Sequence, residues 1–548
     1  MKTRSSNNKL KIIPLGGAGE IGKNMTMLGY GRNQIIVDCG VMFPENDMYG
    51  IDLVLPQFDY VVENQATLRG IVLTHGHLDH IGGLPHLLKE VTAPIYGTAL
   101  TIGMVRRLLA EANLLHRAEL HVIDDQQTIH LGPFRVSPFA VAHSIPGAVG
   151  LVIDTPVGAV VHTGDYKLDE TPTGGTTTDL RRLKELTPEG VLVMLGDSTN
   201  ADRQGRTPTE QLVADTLDQL FAEAEGERII IATFSSLLAR LQEIIRLAQK
   251  YGRKVALTGR SLQQNMELAR ELGVLDIPDG VLVDIGSRVP AGQLVILSTG
   301  SQGEPRSALN RMAQGEHRQV QVRAGDTIII SGGTIPGNEE DVGRMLNNLF
   351  VRGANVIYGG LATVHVSGHG SREDMRIMLE AVRPRFLIPV HGEQRHLHLH
   401  ARLAQASGLA PQNVFIMENG YCWESDGQRA ALGEPVPAGD VYVDGALIGT
   451  IGDGIMQERE RLAQDGFVVV YVPVDKRRRL AGEPRLVSHG FLPPETAEPL
   501  LQAAVSKLKR SLPRGQKPRA TAVQETLADF FYAKTASRPL ILSNIVRV

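Results

Sequence analysis

Cysteine is almost missing from this sequence: Cys39 and Cys422 are the two in a chain of 548 residues. A disulfide scaffold and a four-cysteine zinc site are thereby excluded, and a reducing compartment is expected. Any metal must use histidine and carboxylate. Long apolar runs are missing too, since none approaches the ~20 residues that span a bilayer. The basic opening MKTRSSNNKLK leads into IIPLGGAGEIG, which is too short and too broken by glycine for a secretory signal. A cytoplasmic protein with no membrane partner is expected. Nor is there a charge excess of either sign, because 56 Lys and Arg meet 60 Asp and Glu for a net charge of −4. That average hides an asymmetry. Residues 467–548 carry fourteen Lys and Arg against six Asp and Glu, a local +8, which leaves 42 against 54, or −12, on the residues before them. No fixed-period repeat is present.

What is present is a soluble, globular composition, with 42% hydrophobic and 21% charged residues. The length exceeds the ~250–300 residues at which one core stops growing, so several domains are expected. The first two hundred residues read as short apolar strands that end in polar residues, among them GIVLTHGHLDH, FAVAHS, AVVHTGD and VLVMLGD. From Thr207 the pattern changes to regular β-α-β alternation, which implies a parallel sheet covered by helices. A helix near 339–353 follows, and then strands with polar ends resume in NVIYGG and RFLIPVHGE. The charged amphipathic run IMQERERLAQ predicts a connecting helix, and the remainder predicts a small α+β domain.

The densest signal is Thr74-His75-Gly76-His77-Leu78-Asp79-His80, directly after an apolar strand. Four potential ligands fall within six residues. In a tight strand-to-helix turn, His75 and His77 can face one ion while Asp79 and His80 turn to a second. A polar capping loop is the bland alternative, but capping needs only the aspartate. His143, Asp165 and His391 stand at the ends of other strands, and together they complete two coordination shells. Taken singly, each is as easily a hydrogen-bonded histidine or a turn-forming aspartate.

These residues, with the opening LGGAGEIGKN, resemble the metallo-β-lactamase fold. The middle segment, with Asp197 in LGDST, His369 in VSGHGS and His391, resembles the β-CASP nucleases, and within that group bacterial ribonuclease J. The resemblance implies an α/β protein: a metallo-β-lactamase αββα sandwich with an inserted β-CASP parallel α/β domain and a small α+β C-terminal domain. The implied divisions are 1–205 and 346–447 for the sandwich, 206–345 for the insertion, 448–466 for a linker helix and 467–548 for the basic end. His75, His77 and His143 would bind one divalent ion, Asp79, His80 and His391 the other, and Asp165 both, the metals being zinc or manganese. The implied activity is 5′-to-3′ exonuclease, preferring 5′-monophosphorylated RNA, together with endonuclease, in RNA decay and maturation. A hydroxide generated between ions about 3.5–4 Å apart would attack phosphorus. His369 would act as general acid or bind phosphate, with Asp79 and Asp197 as the other catalytic carboxylates, Asp197 by orienting a histidine.

The run His365, Val366, Ser367, Gly368, His369, leading into a helix, is suited to hold a phosphate, because small residues and a helix start let N–H groups approach an anion. Ser235, Arg260 and Ser301 sit in similar loops of the predicted parallel sheet, at the carboxyl ends of its strands. An ordinary capped loop, and a structural arginine, are the plain alternatives. The glycines of LGGAGEIGKN do not have dinucleotide-binding spacing and are read as letting the first hairpin pass under the metals. Asp47, Asp52 and Asp444 form a candidate calcium set, with solvated loop acids as the simpler account. His396, His398 and His400 are expected on a helix surface or interface. KRRR at 476–479 and the later KLKR and KPRA suggest a dimer or tetramer interface with some RNA contact, and RNA-degradation partners are a further expectation. A small-ester or lactam hydrolase and a non-catalytic RNA scaffold are the competing classes; the long insertion opposes the first and the complete ligand set the second.

Overall fold

The computed structural model describes residues 9–45, 47–335, 337–445, 447–449, 453–477, 479–512 and 518–548. Residues 1–8 of the basic opening, Arg478 of the KRRR run and residues 513–517 of the second basic stretch lie outside the described residues. Two units are present, Met1–Phe43 with Leu53–Val441, and Pro44–Asp52 with Tyr442–Val548.

In the first unit, an eight-stranded sheet runs in the order Ala430–Leu432, Trp423–Ser425, Leu10–Gly16, Met25–Tyr30, Asn33–Val37, Leu68–Val72, Pro94–Gly97, Glu119–Val122. A six-stranded sheet runs Pro384–Val390, Val191–Asp197, Gly158–His162, Val149–Thr155, Phe134–Ala140, Ile129–Leu131. Strand periodicity divides their residues between two cores. Leu151 and Ile153 join Leu10, Leu28, Ile35 and Trp423 between the sheets. Val152 instead joins Met375 and Met378 of the helix Arg372–Val382 and Leu403 of the helix Gln394–Ala406 on the outer side. The outer face of the larger sheet packs on Leu100, Val105 and Leu109 of the helix Ala99–Glu111. Each such side chain withdrawn from water contributes ~1.5–3 kcal/mol. The result is the expected αββα sandwich.

Between the strands Val191–Asp197 and Pro384–Val390 the chain builds a second sheet of six parallel strands, ordered Leu282–Val283, Lys254–Thr258, Leu294–Ser298, Ile229–Thr233, Thr327–Ser331, Asn355–Ile357. Its strands read as unbroken apolar runs because helices cover both faces. Ile229 and Ile231 enter the same core as Leu241 and Ile244 of the helix Leu238–Lys250, whereas Ile230 and Ala232 enter a separate core with Met312, Met345 and Leu349. Because the strands are parallel, the loops carrying Ser235, Arg260 and Ser301 all leave from one edge.

The second unit contains the helix Asp453–Asp465 and a three-stranded sheet ordered Arg485–His489, Phe467–Val474, Leu540–Arg547. Val468, Val470, Val472 and Val474 alternate onto one face and meet Leu501 and Leu508 of the helix Pro494–Ser511 and Val523, Leu527 and Phe531 of the helix Ala520–Thr535. This is the expected α+β module. The calcium set is not assembled there: the Asp444 carboxylate pairs with Arg459, Asp52 accepts from the Gly445 N–H at 2.8 Å, and no group of close ligand atoms among the described residues includes Asp47, Asp52 or Asp444. No helix among the described residues is long and apolar enough to cross a membrane.

Candidate metal centre

The strand Leu68–Val72 delivers the motif to a short helix, Leu78–Ile81. Gly40, on the neighbouring loop, makes this close approach possible: a Cβ at that position would lie 1.6 Å from the Asp79 carbonyl oxygen. His143 follows the strand Phe134–Ala140, Asp165 follows Gly158–His162, and His391 follows Pro384–Val390. All seven residues converge. The ligand atoms of His75, His77, His143 and Asp165 lie within 4.8 Å of one another, as do those of Asp79, His80, Asp165 and His391. Asp165 belongs to both groups and is 3% exposed.

In the first group, His77 Nδ1 lies 3.0 Å from His75 Nε2 and 3.2 Å from His143 Nε2. The opposite nitrogen of each ring is engaged elsewhere. His75 Nδ1 meets the Thr74 hydroxyl at 3.1 Å, His77 Nε2 meets the Ser236 hydroxyl at 3.1 Å, and His143 Nδ1 donates to the Gly368 carbonyl at 2.8 Å. The Thr74 hydroxyl itself donates to Asp38 Oδ2 at 2.8 Å, so it accepts from His75. Thr74 and the Gly368 carbonyl fix the tautomers of His75 and His143 by inference from the hydrogen-bond network, each with its lone pair on the inward Nε2, and the Ser144 hydroxyl lies 3.3 Å from His143 Nε2. Three imidazole nitrogens and a carboxylate converging in this way fit a cation.

The second group is built differently. His80 Nδ1 donates to Asp38 Oδ2 at 2.8 Å, and its Nε2 lies 3.2 Å from Asp165 Oδ2 and 3.5 Å from Asp79 Oδ2. His391 Nδ1 is 3.0 Å from Asp165 Oδ1, while its Nε2 is buried with no hydrogen-bond partner, 3.4 Å from Asp79 Oδ2. That orphaned nitrogen also fits a metal ligand. Asp38 and His391 both adopt left-handed backbone, φ +61° and +52°. Such residues persist only where their surroundings over-determine them. For His391 the constraints are its N–H on the Gly17 carbonyl at 2.7 Å and the Thr199 hydroxyl on its own carbonyl at 3.0 Å. The glycine-rich opening does pass beneath the site.

Electrostatics follow the same division. Burial, reinforced by the neighbouring His80, holds His75 well below the ordinary histidine value. Burial likewise takes His77 to about 4 and His143 to about 3. It also opposes charge on His391 and His80, but Asp165 and the carboxylates around them win, raising His391 to about 10 and His80 well above its usual range. Asp165, despite its burial, is kept well below the carboxylate range by His391, His80 and His75.

A third set of close ligand atoms joins Asp165, Asp197, His369 and His391. His369 Nδ1 bonds Asp197 Oδ2 at 2.8 Å, and its Nε2 points back to within 3.9 Å of Asp165 Oδ2. Burial lowers the His369 pKa, but Asp197 and Asp165 more than offset this and hold it above the ordinary value. The loop before it lies against the first group, since a Cβ at Gly368 would come within 2.9 Å of the His143 ring. Ser367 Oγ accepts from Asn200 Nδ2 at 2.8 Å and from the His369 N–H at 3.1 Å, so its own hydrogen is free to donate. The N–H groups of Gly370, Ser371, Arg372 and Glu373 already serve Tyr166, Thr207, Asp374, Arg203 and Gly205. Val366 is buried, and His365, beside Phe234, has an unpartnered buried Nδ1 and a pKa pushed to about 4 by burial and Arg240.

The remaining sequence candidates belong to none of these ligand groups. Arg260 is exposed at the start of the helix Arg260–Glu271, Ser301 is buried, and Ser235 accepts from Asn265 at 3.1 Å. His396 and His400 are buried rather than on the helix surface: His396 Nδ1 accepts the Glu393 N–H at 3.2 Å, and His400 Nδ1 meets the Ser198 hydroxyl at 3.0 Å. Asp38, Thr74 and Ser236 hold ligand histidines in place, and of these Thr74 alone stands inside the motif that the sequence marks.

With this geometry, comparison with known proteins is decisive. The ribonuclease J β-CASP domain model matches residues 226–349, and the ribonuclease J C-terminal domain model residues 454–548. The β-lactamase superfamily domain matches 33–184, and the Zn-dependent metallo-hydrolase RNA specificity domain 355–417. Ribonuclease J2 of Bacillus subtilis (strain 168) is 36% identical, over 100% of each chain. The chain belongs to the ribonuclease J family. Ribonuclease J of Thermus thermophilus is 40% identical over 98% of this chain and 95% of its own length. A crystal structure of a protein of unknown function from Enterococcus faecalis V583, 15% identical, shares the fold with a TM-score of 0.53 over 76% of this chain and all of its own. As a ribonuclease J family member, the protein is a metal-dependent nuclease, a hydrolase whose RNA specificity domain implies an RNA substrate.

Proposed function

We propose that this ribonuclease J family member hydrolyses single-stranded RNA at two divalent ions, zinc or manganese, as a 5′-to-3′ exonuclease preferring a 5′-monophosphate and also as an endonuclease, in RNA decay and maturation. The supporting observation is the sharing of Asp165 by two complete donor groups. His75, His77 and His143 would hold one ion, Asp79, His80 and His391 the other, and Asp165 both. When bound, such ions acidify water and offset the negative charge of a scissile phosphate.

The chain's own groups supply the rest. His369, whose pKa its two carboxylate neighbours hold above the ordinary value, presents Nε2 toward the centre, where a proton is needed by the leaving 3′-oxygen. Asp197 sets the orientation of that ring through the 2.8 Å bond to Nδ1. The free Ser367 hydroxyl, next to His369, is placed to donate to a phosphate oxygen. Ser235, Arg260 and Ser301, on the polar edge of the inserted sheet, would meet RNA further along. The domain divisions expected from the sequence are part of this reading, as is assembly into dimers or tetramers through the basic module, which exposes Val487, Tyr532 and Leu542; sedimentation of the intact protein tests the latter.

The decisive experiment is digestion of one 5′-labelled single-stranded RNA, bearing either a monophosphate or a triphosphate, with manganese, magnesium or zinc. Immediate release of labelled mononucleotide from the monophosphate form is expected, with internal fragments at a lower rate. Equal rates on both 5′ ends would refute the monophosphate preference, and no cleavage in any metal would refute the reading as a whole.

A further inference from the structure

Of the three histidines in the first donor group, two are held from within the sandwich, by Thr74 and by the carbonyl of Gly368. The third is held from the inserted sheet. Ser236 lies in the turn between the strand Ile229–Thr233 and the helix Leu238–Lys250, 159 residues from His77, and its hydroxyl sits 3.1 Å from His77 Nε2. His77 faces the other two rings through Nδ1, and as a metal ligand through that atom it carries the lone pair there and the hydrogen on Nε2. A hydroxyl at this place accepts the Nε2–H of the ligating tautomer and orients the ring.

The Ser236 turn is itself fixed. The Leu238 N–H donates to the Ser236 carbonyl at 2.8 Å, and Asn265 Nδ2 donates to the carbonyl and hydroxyl of Ser235 at 3.0 and 3.1 Å. Asn265 Oδ1 in turn accepts from Arg107 Nη2 at 2.6 Å, and Arg107 is on the sandwich helix Ala99–Glu111. The connection therefore runs from the sandwich through Arg107, Asn265 and the Ser235–Ser236 turn back to a ligand ring. Beside it Gly103 allows close packing, since a Cβ there would lie 2.9 Å from Leu268 of the inserted domain.

The geometry points to Ser236 as a positioning residue through which the inserted domain sets the metal affinity of the first group. This rests on the reading of His77 as a ligand. Partners that orient a ligand histidine are typically worth ~10–100-fold in metal affinity. Coupling of this kind is reciprocal, so metal bound at the first group also strengthens the seating of the Ser236 turn.

The test is titration of the metal-free full-length protein with zinc against a chromophoric chelator, comparing wild type, Ser236→Ala, Ser236→Thr, Asn265→Ala and His77→Ala, with no RNA present. Ser236→Ala should weaken one of the two zinc sites by about tenfold and leave the other unchanged. Ser236→Thr, which keeps the hydroxyl, should restore the affinity, and Asn265→Ala should shift the same site by a smaller factor. If Ser236→Ala binds both ions as wild type does while His77→Ala loses one, the role of Ser236 is overturned and the ligand reading stands. If His77→Ala also binds both ions normally, the ligand reading itself falls.

Discussion

The two donor groups around Asp165 use the same kinds of atom but rest on different supports. Behind the first stand neutral partners, the hydroxyls of Thr74 and Ser236 and the carbonyl of Gly368. Behind the second stands the carboxylate of Asp38, and both of its histidines also face Asp79 and Asp165. Burial alone makes an imidazole neutral, so His77 and His143 titrate near 4 and 3. Carboxylates reverse this, and His391 titrates near 10. Without metal, the first group is neutral while the second holds protons where a cation would sit. One centre thus contains a site shaped in advance and a site kept closed by its own charge.

Asp165 is where the two meet, and its loss should have the largest effect. Asp165→Asn keeps the volume but removes the charge common to both groups, forfeiting several kcal/mol of charge stabilisation, or about a thousandfold in cleavage rate. Metal analysis should show both ions weakened. Loss of one ion with the other fully retained would contradict the sharing.

His369 lies against both groups, and its ring neighbours His143 and His391. As a proton donor it should be worth about a hundredfold or more in rate. His369→Ala is expected to lower RNA cleavage by that factor with both metals bound as in wild type. A drop in metal content would instead make the set of Asp165, Asp197, His369 and His391 a binding group of its own.

Much of this centre was legible in the sequence because its ligands announce themselves locally. Four of them fall between His75 and His80, and the others stand one by one at the ends of apolar strands, where an α/β sandwich collects polar groups. The inserted sheet was legible for a similar reason, its buried parallel strands reading as runs such as Ile229–Thr233. Partner choice was not legible. Asp38 reaches His80 across 42 residues, Ser236 reaches His77 across 159 and the Gly368 carbonyl reaches His143 across 225, so each pairing exists only after the sheets have packed. Ser235 and Ser236 are indistinguishable as letters, yet only the second touches a ligand. His396 and His400 show the same limit, since their spacing identifies a shared helix face but not that this face lies against the sandwich.

Asp38 tests the support behind the second group directly. Asparagine tolerates the left-handed backbone that Asp38 adopts, so Asp38→Asn should fold, keeping an amide oxygen in the Oδ2 place for the Thr74 hydroxyl and His80 while losing the charge and the bond from the Thr74 N–H. An oriented carboxylate behind a ligand histidine is worth ~10–100-fold in affinity. The second ion should weaken by that factor and the first should not. Equal weakening of both would show that the two supports are not independent.

A graded effect separates the groups by pH. In the metal-free protein His80 and His391 carry protons at neutral pH, and these must leave before an ion can enter. Affinity at the second group should therefore fall as pH is lowered, by about tenfold per pH unit for each proton displaced, whereas the first group should hold its affinity until pH nears the low values of His77 and His143. Stability of the metal-free fold should move the other way. Both histidines are raised above their unfolded value of about 6.5, so their ion pairs stabilise fully below that pH and the contribution is lost as pH rises through the folded value, near 10 for His391. Zinc titrations between about pH 6 and 9, in buffers of different ionisation enthalpy, count the protons released at each step. Release of protons with one ion and not the other supports the division between the groups; equal release with both would erase it.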